Sequence, residues 1–226
     1  MPRQVYVSVV IPTWNESGNI GRVIPAVKRV LSGYSSEIIV VDRHSADGTD
    51  QMARRLGARV LYDDIGKGSA LMKGLVSAKG RILISMDADL SNEPKELKLL
   101  IAGIETGYDI CMGSRFITGG GSDDMPWVRR FGNKVFVFLV NTLFGANYSD
   151  LCYGYRSFRR GAMQKLNLKE RGFGIETEIN IKAKRRGLRV LEVPSVEKKR
   201  DKGVGKLHTF RDGYVILKTI FANLSA

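Results

Sequence analysis

Cysteine is scarce in this chain. There are two, Cys111 and Cys152, in 226 residues, and they form no CxxC or other metal-ligand spacing. That argues against a disulfide-stapled fold and a thiolate metal site, and predicts two buried free thiols in a reducing compartment. Long apolar runs are missing as well: no window reaches the ~18 consecutive apolar residues of a spanning helix. The opening "MPRQVYVSVVIP" passes directly into a strand pattern, without the apolar stretch and small-residue cleavage site of a signal peptide. The expectation is a chain that neither spans a membrane nor is exported. There is no internal repeat and no low-complexity segment. The GxGxxG that opens a nucleotidyltransferase is absent, because "IPTWNESGNI" stands in its place.

Negative charge is in short supply too. Lys and Arg number 36 against 23 Asp and Glu, a net charge of +13 and a pI near 9.9. A surplus of that size favours anionic partners, whether nucleic acid, lipid headgroups or phosphorylated substrates, without choosing among them. Hydrophobic residues at 43% are enough for one sizeable core.

The order of elements is regular through the first half. Strand patterns at "VYVSVVIPTW", "EIIVVD", "ARVLYD", "RILISMDAD" and "YDICMGSRF" alternate with helical ones. The first helix is expected to be capped by Ser17, and Pro94 stands near the start of the fourth. The strands are short continuous apolar runs, as strands buried on both faces are. This repetition predicts an α/β fold with a mainly parallel, doubly wound sheet flanked by helices, which binds ligands beyond the carboxyl ends of its strands. Asn15 and Glu16, Asp42, Asp87 and Asp89, and Arg115 all fall at such ends. Past residue 120 come a glycine-rich loop, an apolar helix "WVRRFGNKVFVFLVNTLFGA", a strand, a helix and strand, and a basic tail ending in a helix. Phe210, Tyr214, Leu217, Phe221 and Leu224 share one face of that last helix.

Two carboxylates at i and i+2 beyond a buried strand, as in "MDADLSNEP", suit a hard divalent cation, which commonly takes one or two protein carboxylates together with substrate phosphates. The plainer alternative is that they cap the next helix or pair with lysine.

The segments "VVIPTWNESGNI", "IIVVDRHSADGTD", "GKGSALMKGL", "MDADLSNEP", "MGSRF" and "DLCYGYRSF", in this order, resemble the family 2 glycosyltransferases, and among them the polyprenyl-phosphate sugar synthases. The resemblance covers nearly the whole chain. It implies a GT-A fold, a nucleotide-sugar donor carrying UDP or GDP, Mg²⁺ or Mn²⁺, and inversion at the anomeric carbon. By the same resemblance Pro12, Thr13, Glu16 and Asp42 contact the nucleoside. Lys67 approaches the nucleotide, and Arg200, Lys202 and Lys206 lie in a basic loop over the diphosphate. Asp87 and Asp89 match the acid motif, with Asp89 the firmer metal ligand and Ser91 a weaker one, direct or through water. Arg115 and Arg129 match arginines that meet phosphate, and Asn133 lies one helical turn beyond Arg129. The chain is expected to act as one domain, with 1–118 on the donor side and 119–226, including the C-terminal helices, on the acceptor side.

Three features depart from the family pattern. Arg43 and His44 follow Asp42 where an acid or glycine is usual, the acid motif has Ser91 where glutamine is frequent, and the chain stops after one C-terminal helix. Asp150 has two readings: general base for a hydroxyl acceptor, or a carboxylate that orients Arg156, the second being favoured. Glu176 and Glu178 read as helix residues, one of them facing the site.

A phosphate acceptor needs little base, since its second pKa lies near 6. It asks instead for positive charge from Arg115, Arg129 and the basic loop. A saccharide hydroxyl acceptor would bring Asp150 forward. The apolar stretch 135–144, flanked by Trp127, Arg129, Arg130 and Lys134, suits either a peripheral position on a membrane surface or packing in the core. Nucleic-acid binding is not expected, because acids gathered at one sheet edge repel phosphate unless a metal intervenes.

Overall fold

The computed structural model describes residues 4–123, 125–200 and 208–224. Its elements, in chain order, are β1 (Val7–Thr13), α1 (Ser17–Val30), β2 (Ser36–Asp42), α2 (Thr49–Arg55), β3 (Arg59–Tyr62), α3 (Lys67–Ser77) and β4 (Ile82–Ser85). A 3₁₀ turn, Pro94–Glu96, then leads into α4 (Leu97–Glu105), β5 (Ile110–Ser114), β6 (Gly121–Ser122) and α5 (Trp127–Phe144). After these come β7 (Arg156–Arg159), α6 (Arg160–Leu166), α7 (Ile175–Arg185), β8 (Val190–Pro194), β9 (Val196–Glu197) and α8 (Thr209–Ala222).

Seven strands form one sheet in the order β3-β2-β1-β4-β7-β5-β8. β1 through β4 are parallel, as the alternating pattern requires, and β5 is parallel to β8. β7 runs antiparallel to both β4 and β5. A strand from the second half of the chain therefore fills the gap between two strands of the first, and one sheet crosses residues 118 and 119. Its two faces are closed by separate apolar layers. One gathers α1 and α4 over Val9, Ile11, Val40 and Ile84, and the other gathers α3 and α7 over Val10, Val41, Leu83 and Phe158. Cys111 is buried in the first layer, and burial pushes its thiol up to about 12. The pair β6 and β9 forms a small parallel ribbon beside this sheet.

One expectation needs correction. Ser17 is the first helical residue of α1 rather than its cap; Glu16 holds that position, and the Ser17 N–H donates to Asp47 Oδ2 at 2.9 Å. The shared apolar face of α8 points outward. Phe210, Tyr214, Phe221 and Leu224 are exposed, while Asp212, Ile216, Thr219 and Ile220 are buried. α5 packs against α8 and behaves likewise: it buries Asn133 and Val140 and exposes Trp127, Phe131, Val135, Phe138 and Leu143. No helix among the described residues is long and apolar enough to cross a membrane.

Candidate active site

The carboxyl ends of β1, β2, β4 and β5 place the expected residues along one edge. Asp42 closes β2 fully buried, and its oxygens accept hydrogen bonds from Thr13 Oγ1 at 2.8 Å, Ser45 N at 2.7 Å and Ser45 Oγ at 2.7 Å. Asp42 and Thr13 thus tie the ends of two parallel strands together, and Pro12 pairs with Val41 one register step earlier. Glu16, in the following turn, is buried and accepts from Asn19 Nδ2 at 2.7 Å.

Beyond β4 the chain turns through Leu90, whose φ of 63° is left-handed. Asn92, fully buried, clamps this turn: its Oδ1 accepts the Asp87 N–H at 2.8 Å and its Nδ2 donates to Tyr153 Oη at 3.1 Å. Ser91 gives Asp89 Oδ1 both its N–H, at 3.0 Å, and its hydroxyl, at 2.6 Å. The hydroxyl is therefore turned to Asp89, which it orients. Nothing in the sequence spacing singles out Asn92, because its second partner lies 61 residues away.

Each acid of the pair carries an internal cation. Lys67 Nζ lies 3.0 Å from Asp87 Oδ1 and 3.0 Å from Glu176 Oε1. Arg200 reaches Asp89 Oδ2 at 2.7 Å through Nη2 and Glu16 Oε1 at 3.1 Å through Nη1. Burial would lower the Lys67 pKa, but Asp87 and Glu176 outweigh it and hold the ammonium well above its usual range. The sequence brings Lys67 and Glu176 together through the glycines of "GKGSA". A Cβ on Gly68 would stand 2.6 Å from the carbonyl oxygen of Glu170, so only glycine lets α3 dock on the loop that opens α7. Of the two α7 glutamates, Glu176 faces the site. Glu178 accepts the backbone N–H groups of Lys169 and Glu170 and pairs with Lys182 at 2.7 Å.

Beyond β5, Arg115 is nearly buried and spread over two carboxylates. It donates to Asp150 through Nε at 2.7 Å and Nη2 at 2.9 Å, and to Glu197 through Nη1 at 3.2 Å. Burial works against its charge, and Asp150 and Glu197 more than restore it, so its pKa rises above the normal guanidinium value. The expected pairing of Asp150 with Arg156 is not formed. Asp150 holds Arg115, while the fully buried Arg156 donates to Tyr153 O at 2.6 Å, Asn180 Oδ1 at 2.9 Å and Glu176 O at 3.3 Å. Burial lowers its pKa, with Glu176 and Asp150 opposing. Asp150, with no exposed surface and its two oxygens on one guanidinium, cannot reach an acceptor hydroxyl.

Arg129, in the first turn of α5, donates to Thr209 Oγ1 at 3.2 Å and so joins the two outer helices. Asn133 is buried; its Oδ1 accepts the Leu151 N–H at 3.1 Å, which pins α5 to the loop carrying Asp150. Lys202 and Lys206 lie outside the described residues.

The donor set suits a hard cation. Asp87 and Asp89 offer carboxylate oxygens, and both already attract positive charge. Among the described residues no group of three or more His, Cys, Asp or Glu could form an all-protein cage, which leaves room for substrate oxygens. A sheet of this order, flanked by helices, is the arrangement of the GT-A fold, and solved structures share that fold. The chain superposes on a mycobacterial protein with a TM-score of 0.80 at 20% identity, covering 98% of this chain and 75% of that one. Against the glucosyl-3-phosphoglycerate synthase of Mycobacterium tuberculosis, solved with Mn²⁺, UDP and glucosyl-3-phosphoglycerate, the TM-score is 0.78 at 22% identity over 98% and 80%.

The chain belongs to glycosyl transferase family 2, whose model matches residues 8–166. It is 32% identical to a dolichol-phosphate mannosyltransferase of Pyrococcus furiosus over 89% of this chain, though it spans only 59% of that relative's length. It is also 32% identical to a polyprenol monophosphomannose synthase of Mycolicibacterium smegmatis, over 88% and 80%, and to a dolichyl-phosphate hexose transferase of Haloferax volcanii, over 94% and 91%. The protein is a glycosyltransferase.

Proposed function

We propose that this enzyme transfers a sugar, with inversion, from a UDP- or GDP-sugar to a polyprenyl phosphate at the cytoplasmic face of a membrane, and that it needs Mg²⁺ or Mn²⁺. The observation that carries the acceptor is the Asp150–Arg115 pair. With Asp150 buried and spent on a guanidinium, the hydroxyl-acceptor alternative loses its expected base, whereas an ionised phosphate attacks without one. The names of the relatives point the same way.

In this reading Asp87 and Asp89 hold the cation, and Ser91 keeps Asp89 turned toward it. When bound, the metal neutralises charge that develops on the leaving diphosphate. Pro12, Thr13, Glu16 and Asp42 shape the nucleoside end, while Lys67 and Arg200 face the diphosphate; Lys206, expected to join them, lies outside the described residues. Arg115 keeps Asp150 in place and meets the acceptor phosphate only when Glu197 gives up its Nη1 edge. Arg129 and Asn133 frame that side from α5. An open groove of about 720 Å³ borders Phe116 and Ser149, the chain neighbours of Arg115 and Asp150. Its walls include Arg130, Lys134 and Phe138, a mixture that suits a phosphate with an apolar tail. Residues 1–118 thus serve mainly the donor and 119–226 mainly the acceptor.

The exposed aromatic stripes of α5 and α8, with Arg130, Lys134, Arg211 and Lys218 exposed on the same helices, fit a peripheral position on an anionic bilayer. The test is transfer of radiolabel from UDP-glucose, UDP-GlcNAc and GDP-mannose into organic-extractable product, with Mg²⁺ or Mn²⁺. Label that requires added polyprenyl phosphate supports the reading and names the donor. Metal-dependent label on a saccharide, with none on lipid, overturns it.

A further inference from the structure

The two cations at the acid pair are held in the same way. Each bridges one carboxylate of the pair and a second carboxylate contributed by another element. Lys67 lies between Asp87, whose side chain is 30% exposed, and Glu176 of α7, 4% exposed. Arg200 lies between Asp89 and Glu16 of the turn after β1. Backbone contacts hold both arrangements in place. The Lys198 N–H donates to Ser91 O at 2.9 Å, which registers the chain before Arg200 against the acid loop, and the Ser69 N–H donates to Arg171 O at 3.1 Å, which locks α3 to the start of α7. The space where these groups meet is tight. A Cβ at Gly154 would stand 3.2 Å from Lys67 Nζ, 3.3 Å from Glu176 Oε1 and 3.4 Å from Asp87 Oδ2.

This geometry has a consequence for binding. A divalent cation cannot share Asp87 and Asp89 with an ammonium and a guanidinium in the same contacts, since like charges at such separations repel strongly. Were Lys67 and Arg200 held only by the acid pair, the metal would expel them, and the diphosphate would lose its nearest positive side chains. We infer that Glu16 and Glu176 are positioning residues: they retain Arg200 and Lys67 beside the acid pair while the metal takes Asp89 and Asp87, and so hand both cations to the donor diphosphate. Metal and donor then bind as a set. Without nucleotide the internal cations oppose the metal, and with nucleotide they gain phosphate oxygens in exchange for the carboxylates they give up. The inference rests on the donor and metal reading of the same site.

Mn²⁺ binding to the intact chain, followed by the electron paramagnetic resonance of the free ion, tests it with and without UDP and GDP. Arg200→Gln removes a cation from a partly exposed side chain, so the fold should be retained. It is expected to bind Mn²⁺ alone about tenfold more tightly than the unsubstituted protein and the nucleotide with Mn²⁺ about tenfold less tightly. Arg200→Lys should keep the unsubstituted behaviour in both. Glu16→Gln, which can still accept from Asn19, should weaken nucleotide binding while not weakening Mn²⁺ alone, as should Glu176→Gln. A merely structural role for the glutamates would not separate the two affinities. If Asp89→Asn abolishes the Mn²⁺–nucleotide complex but Arg200→Gln leaves the affinity for Mn²⁺ alone unchanged, the exchange is wrong and the donor reading stands. If the glutamine variants at 16 and 176 bind nucleotide as the unsubstituted protein does, the anchoring role is wrong. If Asp89→Asn binds Mn²⁺ and nucleotide undiminished, the donor reading itself fails.

Discussion

At the scale of single residues, the site is a set of charges that satisfy one another, and its sensitivities follow from which partner is removed. Asp89→Asn keeps the hydrogen bonds from Ser91 but loses the charge that draws a cation. Transfer should fall at least about 100-fold, read as initial rate at saturating donor, with the melting temperature little changed. Asp150→Asn acts differently. It leaves Arg115 buried with only Glu197 as a charged partner, and urea unfolding should show a loss of about 3 kcal/mol. Gly154→Ala places a methyl among Lys67, Glu176 and Asp87 and should raise the donor KM more than it changes stability.

At the scale of elements, the informative pieces are α5 and α8. Each has the apolar periodicity of a core helix, yet both turn that stripe outward: Trp127 is 77% exposed and Phe210 86% exposed. The inner faces are held by other means, such as Arg129 on Thr209 and Asn133 on Leu151. Replacing Trp127, Phe131 and Phe138 together by serine should therefore cost little stability, within about 0.5 kcal/mol per site. The same triple substitution should lower sedimentation with anionic vesicles severalfold. If vesicle binding is unchanged, the stripe on α5 does not face lipid.

At the scale of the whole molecule, the surplus of 13 positive charges and the proposed phosphate acceptor make separate predictions. Binding to vesicles with anionic headgroups should weaken steeply between about 50 and 500 mM salt, as the Debye length shrinks, and should be slight on neutral vesicles throughout. The acceptor's second ionisation gives the pH dependence. Below a pKa near 6 the attacking dianion is protonated, so kcat/KM for the lipid should fall about tenfold per pH unit on the acid side and level off above pH 7. A profile set by a carboxylate base in the protein would instead persist with a saccharide acceptor.

The sequence by itself determined the alternating α/β order, the edge at which chemistry gathers and the family. Those properties are local: apolar runs such as "EIIVVD" and "RILIS" declare buried strands, and Asp42, Asp87, Asp89 and Arg115 follow such runs directly. It also favoured orientation over catalysis for Asp150, but assigned the wrong arginine, because Arg115 stands 35 residues away and Arg156 only six. The antiparallel insertion of β7, the Lys67–Glu176 and Arg200–Glu16 pairs, the clamp at Asn92 and the outward faces of α5 and α8 were decided only by tertiary structure. Ion pairs join residues as far as 184 positions apart, a separation no spacing rule spans. A helical stripe has the same period whether it meets a core or a bilayer, and only the packing of the remaining elements decides which face is left open.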